Sequence, residues 1–165
     1  MKRNAKGFTL IELLIVVAII GIIVAIAIPN LLNAIQRAKQ RRTMGDIRTS
    51  ATAIEAYAVD MNRYPPSAGS YDLPVGLTTA TTVGNNMYKY VSPTYVKAIP
   101  LADGWNSWFL YATDSNGTVY ALFSAAKDGS TAGIGLTPVG PTTDFNSDIV
   151  YANGSFLQWP EGVQR

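Results

Sequence analysis

The sequence predicts an α+β fold, in which one long N-terminal α-helix precedes a small antiparallel β-sheet. The first observation is the stretch from Phe8 to Met61, which contains one proline and two glycines and otherwise consists of residues compatible with a helix. The second is the rest of the chain, where short aromatic and β-branched runs alternate with turn residues. Strand signals that follow a helix, instead of alternating with helices, are typical of this fold class.

The first half of the predicted helix has the composition of a membrane-spanning segment. Residues 13–28 are uninterruptedly apolar, and Leu10 and Ile11 extend the run. The total comes close to the roughly 20 residues that a helix needs to cross a bilayer. Pro29 follows directly and removes one backbone donor inside the helix, so we expect a kink there.

The second half of the helix is amphipathic. One apolar stripe recurs at spacings of four and three and consists of Ile47, Ala51, Ile54, Ala58 and Met61. We expect this stripe to pack against the sheet. The acidic and basic residues between its members are expected to face water; these are Asp46, Arg48, Glu55 and Asp60.

The sheet is predicted from two pairs of strands. Tyr64-Pro65-Pro66 ends the helix, because proline cannot continue it. The strand signals cover residues 108–113, 118–124, 148–152 and 155–159, and the last two flank Asn153-Gly154, a strong hairpin signal. They predict an antiparallel sheet of three or four strands, with residues 67–86 forming a surface loop.

The residue types exclude several classes of protein. The chain has no histidine and no cysteine, which excludes Ser-His-Asp triads, Cys/His nucleophile pairs, most zinc sites and any disulfide. No phosphate-binding glycine loop is present. Lys and Arg number 13 against 11 Asp and Glu, and no general nucleic-acid partner is predicted from so small an excess. We therefore predict that the protein is not an enzyme.

Glu12 is the one charged residue inside the apolar run. Inserting an ionised side chain into lipid costs about 2.5–3.5 kcal/mol on insertion scales. A carboxylate at this position therefore indicates a functional role for Glu12. The sequence offers this carboxylate no nearby partner on the apolar side. If the chain were cut after Gly7, the new amine of Phe8 could pair with Glu12 of a neighbouring copy.

Residues 7–14 read GFTLIELL and closely resemble the N-terminal signal of type IV pilins and type II secretion pseudopilins. The resemblance implies that a prepilin peptidase cuts after Gly7, that Phe8 becomes N-methylated, and that Glu12 is needed for assembly. It also implies a pilin-like organisation: a leader over residues 1–7, a membrane and filament-core helix over 8–29, an amphipathic helix over 30–61, and a periplasmic globular β domain over 62–165.

Motifs in the globular part resemble those of the major, G-type pseudopilins. They are Tyr64-Pro65, Asp103-Gly104-Trp105, Asp128-Gly129 and Asn146-Ser147-Asp148-Ile149. The second motif lacks the prolines that the family has there. The absence of cysteine also favours pseudopilins, because many type IV pilins carry a C-terminal disulfide.

In the resembling family, the loop between the last two motifs binds calcium. Here that loop supplies three carboxylates and two neutral oxygens, from Asp128, Ser130, Asp144, Asn146 and Asp148. Calcium takes six to eight oxygen ligands in adaptable geometry, so these residues predict a calcium site. The alternative is a solvated polar loop in which an Asp caps a turn.

We therefore predict a structural subunit of a type IV pilus-like filament, the major pseudopilin of a type II secretion system that polymerises to drive protein export. The alternatives are a type IV pilus subunit for adhesion, twitching motility or DNA uptake, and a membrane-tethered binding module that never polymerises. The implied partners are copies of itself, a prepilin peptidase, an inner-membrane platform protein, an assembly ATPase and minor pilins or pseudopilins. The subunit is expected in the inner membrane, with its globular domain in the periplasm, until it enters a periplasmic or cell-surface filament.

Overall fold

The computed structural model of the chain describes residues 7–67, 79–82, 87–130 and 139–162. Helix α1 spans Leu10–Met61, 52 residues, and confirms the predicted long helix; it begins two residues later than expected. Part of it has a mean hydropathy of 3.2, so by length and composition it is able to cross a membrane. A signal sequence near an N-terminus has the same property, so hydropathy alone does not establish an anchor.

The chain divides into two compact units, the first ending at Arg37 and the second beginning at Ala38. In the first unit every residue from Leu10 to Ile35 is exposed, although most of them are large and apolar. A helix that is apolar all round needs a surrounding of lipid or of other helices. Within the described part of one subunit, protein provides no such cover.

In the second unit the helix buries one face. The buried residues recur three or four apart and are Gln40, Thr43, Met44, Ile47, Ser50, Ala51, Ala53, Ile54 and Tyr57. The prediction of a packed stripe is therefore confirmed for Ile47, Ala51 and Ile54, while Ala58 is half-buried.

The prediction for Met61 is wrong, because its side chain is 53% exposed. The packed face of α1 ends at Tyr57, whose ring meets Tyr90 and Tyr95 edge-on at centroid distances of 6.1 and 5.7 Å. The last turn of the helix lies beyond this contact. Met61 therefore stays exposed, although its spacing from Ala58 continues the apolar stripe.

Among its described residues, the second unit also contains a short helix, α2 (Met87–Val91), and six strands. The strands are β1 (Thr79–Thr82), β2 (Leu110–Thr113), β3 (Tyr120–Ser124), β4 (Gly140–Thr142), β5 (Ile149–Ala152) and β6 (Ser155–Pro160). Their order is β1-β2-β3-β5-β6-β4, with antiparallel neighbours except for β4, which pairs with β6 in parallel.

The sheet thus contains the four predicted strands and two more. Strands β1 and β4 read Thr-Ala-Thr-Thr and Gly-Pro-Thr, which contain no aromatic residue and no Val, Ile or Leu. They form because backbone groups at the edges of an existing sheet are available for pairing. The prediction of a loop over residues 67–86 is therefore wrong at 79–82, and residues 68–78 and 83–86 lie outside the described part of the chain.

The hairpin prediction at Asn153-Gly154 is confirmed. Ala152 pairs with Ser155, and both turn residues have positive φ, 46° and 88°. That is the backbone conformation which two-residue hairpin turns require, and Asn and Gly adopt it most readily.

The central strands are buried on both faces. Tyr111, Leu122 and Ile149 join the helix residues in one core, while Leu110 and Phe123 belong to a second cluster on the opposite face. Burial on both sides explains why these strands are apolar throughout instead of alternating.

Candidate assembly site and metal loop

Helix α1 opens with a capping box formed by Thr9 and Glu12. The Glu12 Oε2 atom accepts hydrogen bonds from the Thr9 backbone N–H at 2.8 Å and from the Thr9 hydroxyl at 2.7 Å. In return, the Glu12 N–H donates to Thr9 Oγ1 at 3.3 Å. Glu12 therefore has a partner within the subunit, which lies on the N-terminal side of the carboxylate and not on the apolar side. Thr-x-x-Glu before an apolar run is the known signature of this cap, and it could have been read from the sequence.

The capping box fixes where the Glu12 charge lies. Both bonds from Thr9 use Oε2, and neither uses Oε1. The carboxylate is exposed in the first turn, where the helix dipole favours negative charge. Gly7 and Phe8 precede it and are also exposed. This geometry is compatible with a cut after Gly7, but the cleavage and methylation roles stay predictions.

Pro29 lies inside α1, and the helix continues through it. The neighbouring Asn30 donates a side-chain N–H to the Ile26 carbonyl at 3.2 Å, which adds a contact where proline removes one. The predicted kink at Pro29 stays a prediction.

The Asp103-Gly104-Trp105 motif ties a loop to the helix. Asp103 is 2% exposed; its Oδ1 accepts from the N–H groups of Trp105 and Ser107, both at 2.9 Å, and its Oδ2 accepts from the Ser124 hydroxyl at 2.6 Å. The Gly104 N–H donates to Thr43 Oγ1 on α1 at 2.9 Å. The motif is structural.

The same contact explains the glycine where the resembling motif has proline. A Cβ atom on Gly104 would lie 2.5 Å from the carbonyl oxygen of Lys39. Proline would also lack the N–H that donates to Thr43. Close approach to the helix thus selects glycine in this chain.

Glu55 links α1 to the sheet, which sequence reasoning missed. It is half-buried instead of facing water, and it accepts hydrogen bonds from the hydroxyls of Tyr120, at 2.8 Å, and Tyr64, at 3.2 Å. Burial and the Glu55 charge raise the pKa of both tyrosines, so both stay protonated donors at neutral pH. Charged residues are common on the polar side of an amphipathic helix. The position of Glu55 in the sequence therefore did not indicate its contact with the two tyrosines.

In the predicted metal loop the residues fall into two groups. Asp128 Oδ1 accepts from the Ser130 N–H at 3.0 Å, and Asp144 Oδ1 accepts from the Asn146 N–H at 2.9 Å; both are local turns. Within the described residues, no three acidic side chains are gathered as a metal would require. The structure therefore does not bring Asp144 together with the other two carboxylates.

Asp148 is the exceptional residue of this loop. Its side chain is 9% exposed, and its Oδ1 atom has no hydrogen-bond partner among the residues that the structure describes. Burial, and secondly the charge of Asp128, raise the pKa of Asp148 to about 7. A buried carboxylate oxygen without a donor, beside a second carboxylate, fits an oxygen-binding cation such as calcium.

Two known protein families match this chain, and together they cover most of it. A family of prokaryotic N-terminal methylation motifs matches residues 2–28, which include Gly7, Phe8 and Glu12. The family of type II secretion system protein G matches residues 30–138. The chain belongs to the type II secretion system protein G family. Its members are structural pseudopilins rather than enzymes, and the methylation motif together with the apolar helix fits an inner-membrane-anchored, pilin-type subunit.

Individual relatives agree with this assignment. The chain is 30% identical to a type II secretion system core protein G of Aeromonas hydrophila, over 78% of this chain and 87% of the relative. It is 29% identical to the Escherichia coli K12 protein of the same name, over 75% and 83%. It is also 37% identical to the type IV wide pilus major component PilA4 of Thermus thermophilus, over 76% and 85%. No solved structure matches significantly.

Proposed function

We propose that this chain is the major pseudopilin of a type II secretion system, and that it polymerises into a short periplasmic filament whose growth drives exported proteins outward. The observation that carries this proposal is the family match over residues 30–138, which covers most of the globular part and not only the N-terminal motif. A filament also gives the exposed apolar residues of α1 a second environment besides lipid.

Assembly would begin when a prepilin peptidase removes residues 1–7 and methylates Phe8. An inner-membrane platform protein and its ATPase would then move the subunit out of the bilayer, and minor pseudopilins would start the filament. Lateral packing of many copies replaces lipid around residues 10–35, all of which are exposed in the single subunit.

Glu12 would fix the register of the packed helices. Thr9 already holds one carboxylate oxygen, and the amine of Phe8 from an adjacent copy would approach the other. A buried charge is tolerated where it is paired and hydrogen-bonded, and such pairs select one alignment among several apolar ones.

The test is a Glu12→Leu variant in a strain that lacks the wild-type gene. We expect the variant to reach the membrane but to form no filaments, so that exported proteins accumulate in the periplasm. Ile11→Leu is the matched control and should assemble normally. Filaments of normal abundance from Glu12→Leu would contradict the assembly role of Glu12, whereas normal export with no filaments from either the variant or the wild type would favour the membrane-tethered module. Residues 1–7 still attached to polymerised protein, detected by mass spectrometry, would equally contradict the proposal.

The 37% identity to a wide pilus component favours a second candidate, a surface type IV pilus subunit for adhesion, twitching motility or DNA uptake. A deletion strain separates the two. Trapped exoproteins with normal surface fibres support secretion, whereas lost surface fibres with normal export support a pilus.

We also propose that the loop holds a calcium ion, with Asp128 and Asp148 as its carboxylate ligands. Oxygens of Ser130 and Asn146 would complete the site, without Asp144. The unpartnered Oδ1 of Asp148 supports this, because an ion there would replace the missing donor. When bound, calcium would neutralise both carboxylates.

The calcium proposal predicts that a chelator lowers the melting temperature of the protein. In Asp148→Asn the chelator should have no effect, while the exposed control Glu161→Gln should respond as wild type does. An unchanged melting temperature and unchanged protease resistance of the wild type in chelator would rule the site out.

A further inference from the structure

The second unit begins with a cluster of positive charge on helix α1. Lys39, Arg41 and Arg42 are among its first five residues, and Arg37 precedes them in the sequence. Arg41 and Arg42 are exposed, and Lys39 is half-buried. Arg42 forms an ion pair with Asp46 at 3.4 Å, whereas Lys39 and Arg41 form none with any residue that the structure describes. Two cations at this end of the unit are therefore available to an anionic partner.

These two charges do not share one face of the helix. Successive residues of an α-helix are turned by about 100°, so Lys39 and Arg41 lie on nearly opposite sides of α1, about 3 Å apart along its axis. Residues two positions apart do not face a common neighbour on a helix surface. A protein partner alongside α1 would meet one of the two, whereas a layer of phosphates that the helix crosses would meet both.

The position of the charges along α1 matches a lipid headgroup layer. The helix rises about 1.5 Å per residue, so the 27 positions from Glu12 to Lys39 cover a path of about 40 Å. A bilayer with both headgroup layers is about 40–45 Å thick. Long basic side chains also extend along apolar surface and keep their charged ends in the polar layer. With Glu12 at one headgroup layer, Lys39 and Arg41 would lie at the phosphates of the other.

A closed loop of the globular part lies against the same end of the unit. The Gly104 N–H donates to Thr43 Oγ1 at 2.9 Å, and a Cβ atom on Gly104 would lie 2.5 Å from the Lys39 carbonyl oxygen. Asp103 closes the loop, because its N–H donates to the Ser107 carbonyl at 2.9 Å and its Oδ1 accepts from the Ser107 N–H at 2.9 Å. The loop is therefore held beside Lys39.

Trp108 follows this loop directly and is 57% exposed. Its backbone pairs with that of Ala102 across the loop, which fixes its position. Tryptophan is enriched where a membrane meets water, because its ring is largely apolar and carries one N–H donor. An exposed indole and two available cations at one end of the unit are the groups that a headgroup layer accommodates.

We propose that, before assembly, this end of the second unit contacts the membrane surface. Lys39 and Arg41 bind headgroup phosphates of anionic phospholipids, and the indole of Trp108 inserts between the headgroups. The contact ends when the subunit leaves the bilayer for the filament, so it holds the subunit in addition to the apolar helix. This inference rests on the membrane-anchored stage of the proposed function.

Quenching of Trp108 fluorescence by a labelled lipid tests the contact. Trp105→Phe and Trp159→Phe leave Trp108 as the one tryptophan of the full chain. This parent is reconstituted in vesicles of phosphatidylcholine, with or without phosphatidylglycerol, that contain a lipid with a nitroxide on its headgroup. We expect a quenching constant about fivefold higher with phosphatidylglycerol, because each basic residue is attracted to an anionic surface. High salt should remove the difference.

A pair of double variants assigns the effect to the two cations. Lys39→Gln with Arg41→Gln should lower the quenching constant to its value in phosphatidylcholine alone. Arg63→Gln with Lys89→Gln removes the same charge from exposed positions near the other end of the packed face and should leave it unchanged. All variants should melt as their parent does. If the single-tryptophan parent is unstable, the difference between wild type and Trp108→Phe gives the same readout.

Three results would overturn the proposal. The first is equal quenching with and without phosphatidylglycerol. The second is a stronger loss of quenching in inorganic phosphate than in chloride of equal ionic strength, which would indicate a site for the free ion. The third is a Lys39→Gln, Arg41→Gln variant with normal quenching but a lowered filament yield, which would assign both residues to a contact with a neighbouring copy.

The lipid contact and the filament function fail differently. Quenching is measured without the assembly machinery, so its absence would overturn the lipid contact and leave the filament function in place. A wild-type chain that is quenched as expected, yet forms no filaments in cells, would contradict the filament function and leave the lipid contact.

Discussion

Residues 10–35 and 40–57 belong to one helix, yet the first stretch exposes every residue and the second buries nine. The first is apolar all round, while the second is apolar on one face. The difference indicates two kinds of packing along one helix. The first stretch needs lipid or other helices as cover, and an all-round apolar surface accepts such cover at any rotation of the helix. The second stretch packs on its own sheet, which allows a single rotation.

This comparison predicts opposite sensitivities to mutation. In the first stretch, the proposed filament register would depend on Glu12 and the Phe8 amine of an adjacent copy, because apolar contacts alone do not select a register. In the second, specificity comes from close contacts such as Gly104 against Lys39 and Ile54 in the core.

The largest effect on stability is expected from a substitution of Ile54, and a substitution of Ile20 is its matched control. Ile54 is 0% exposed, so Ile54→Ala should lower the free energy of unfolding of the globular unit by about 3–4 kcal/mol. Ile20→Ala, on the exposed half, should leave it unchanged. Thermal unfolding of the detergent-solubilised chain measures both. Equal losses in the two variants would show that the apolar half also packs within the subunit.

A second pair of variants compares a glycine in close contact with the helix, Gly104, with a glycine that has open space around it, Gly45. Gly104→Ala should destabilise the globular unit by about 2–3 kcal/mol, since its Cβ would lie 2.5 Å from the Lys39 carbonyl oxygen. Gly45→Ala meets no atom within 4 Å in the helix interior and should stabilise it by about 0.5–1 kcal/mol. Urea unfolding gives both values. A neutral Gly104→Ala would contradict the close contact.

The pKa of Asp148 predicts a pH effect on the calcium-free protein. Its folded pKa of about 7 exceeds the ordinary value of 3.8, so the folded state holds the proton more tightly. The resulting stability is complete below about pH 4 and is lost as the pH rises through 7. Melting temperatures between pH 4 and 8 measure it, and saturating calcium should remove the loss at high pH. A flat profile in Asp148→Asn is the control.

The smallest effect concerns the link between Glu55 and the sheet. Tyr120→Phe removes the 2.8 Å hydrogen bond and should cost about 1.5 kcal/mol, since the acceptor is a carboxylate. Tyr88→Phe, with an exposed ring, should cost almost nothing. In a Glu55→Gln background the loss from Tyr120→Phe should shrink, and a loss of unchanged size would contradict the contact.

Much of the fold could be predicted because its signals are local. The length of α1, the hairpin at Asn153-Gly154 and the four central strands depend on spacing and turn residues that lie close in sequence. The capping box of Thr9 and Glu12 is equally local, and was missed although its pattern was present. Only the edge strands β1 and β4 had no local signal.

The candidate sites divide in the same way. Gly7, Phe8 and Glu12 lie within six consecutive residues, so a sequence motif could indicate all three. For the metal loop, the candidate oxygen ligands could be counted from the sequence. The sequence could not show that Asp148 lies buried beside Asp128, while Asp144 accepts a hydrogen bond from Asn146 in a local turn. Which carboxylates come together depends on how the loop ends meet, as in the bond from the Lys127 N–H to the Phe145 carbonyl.

By itself, the amino-acid sequence determined that this protein has a long, partly membrane-compatible helix with one acid near its start, because helical and transmembrane propensities are set by neighbouring residues. The tertiary structure alone decided that Glu55 accepts bonds from two tyrosines, that Met61 stays exposed, and that Gly104 lies against Lys39. These features depend on contacts between residues distant in sequence, whose free energies appear only once the sheet has packed on the helix.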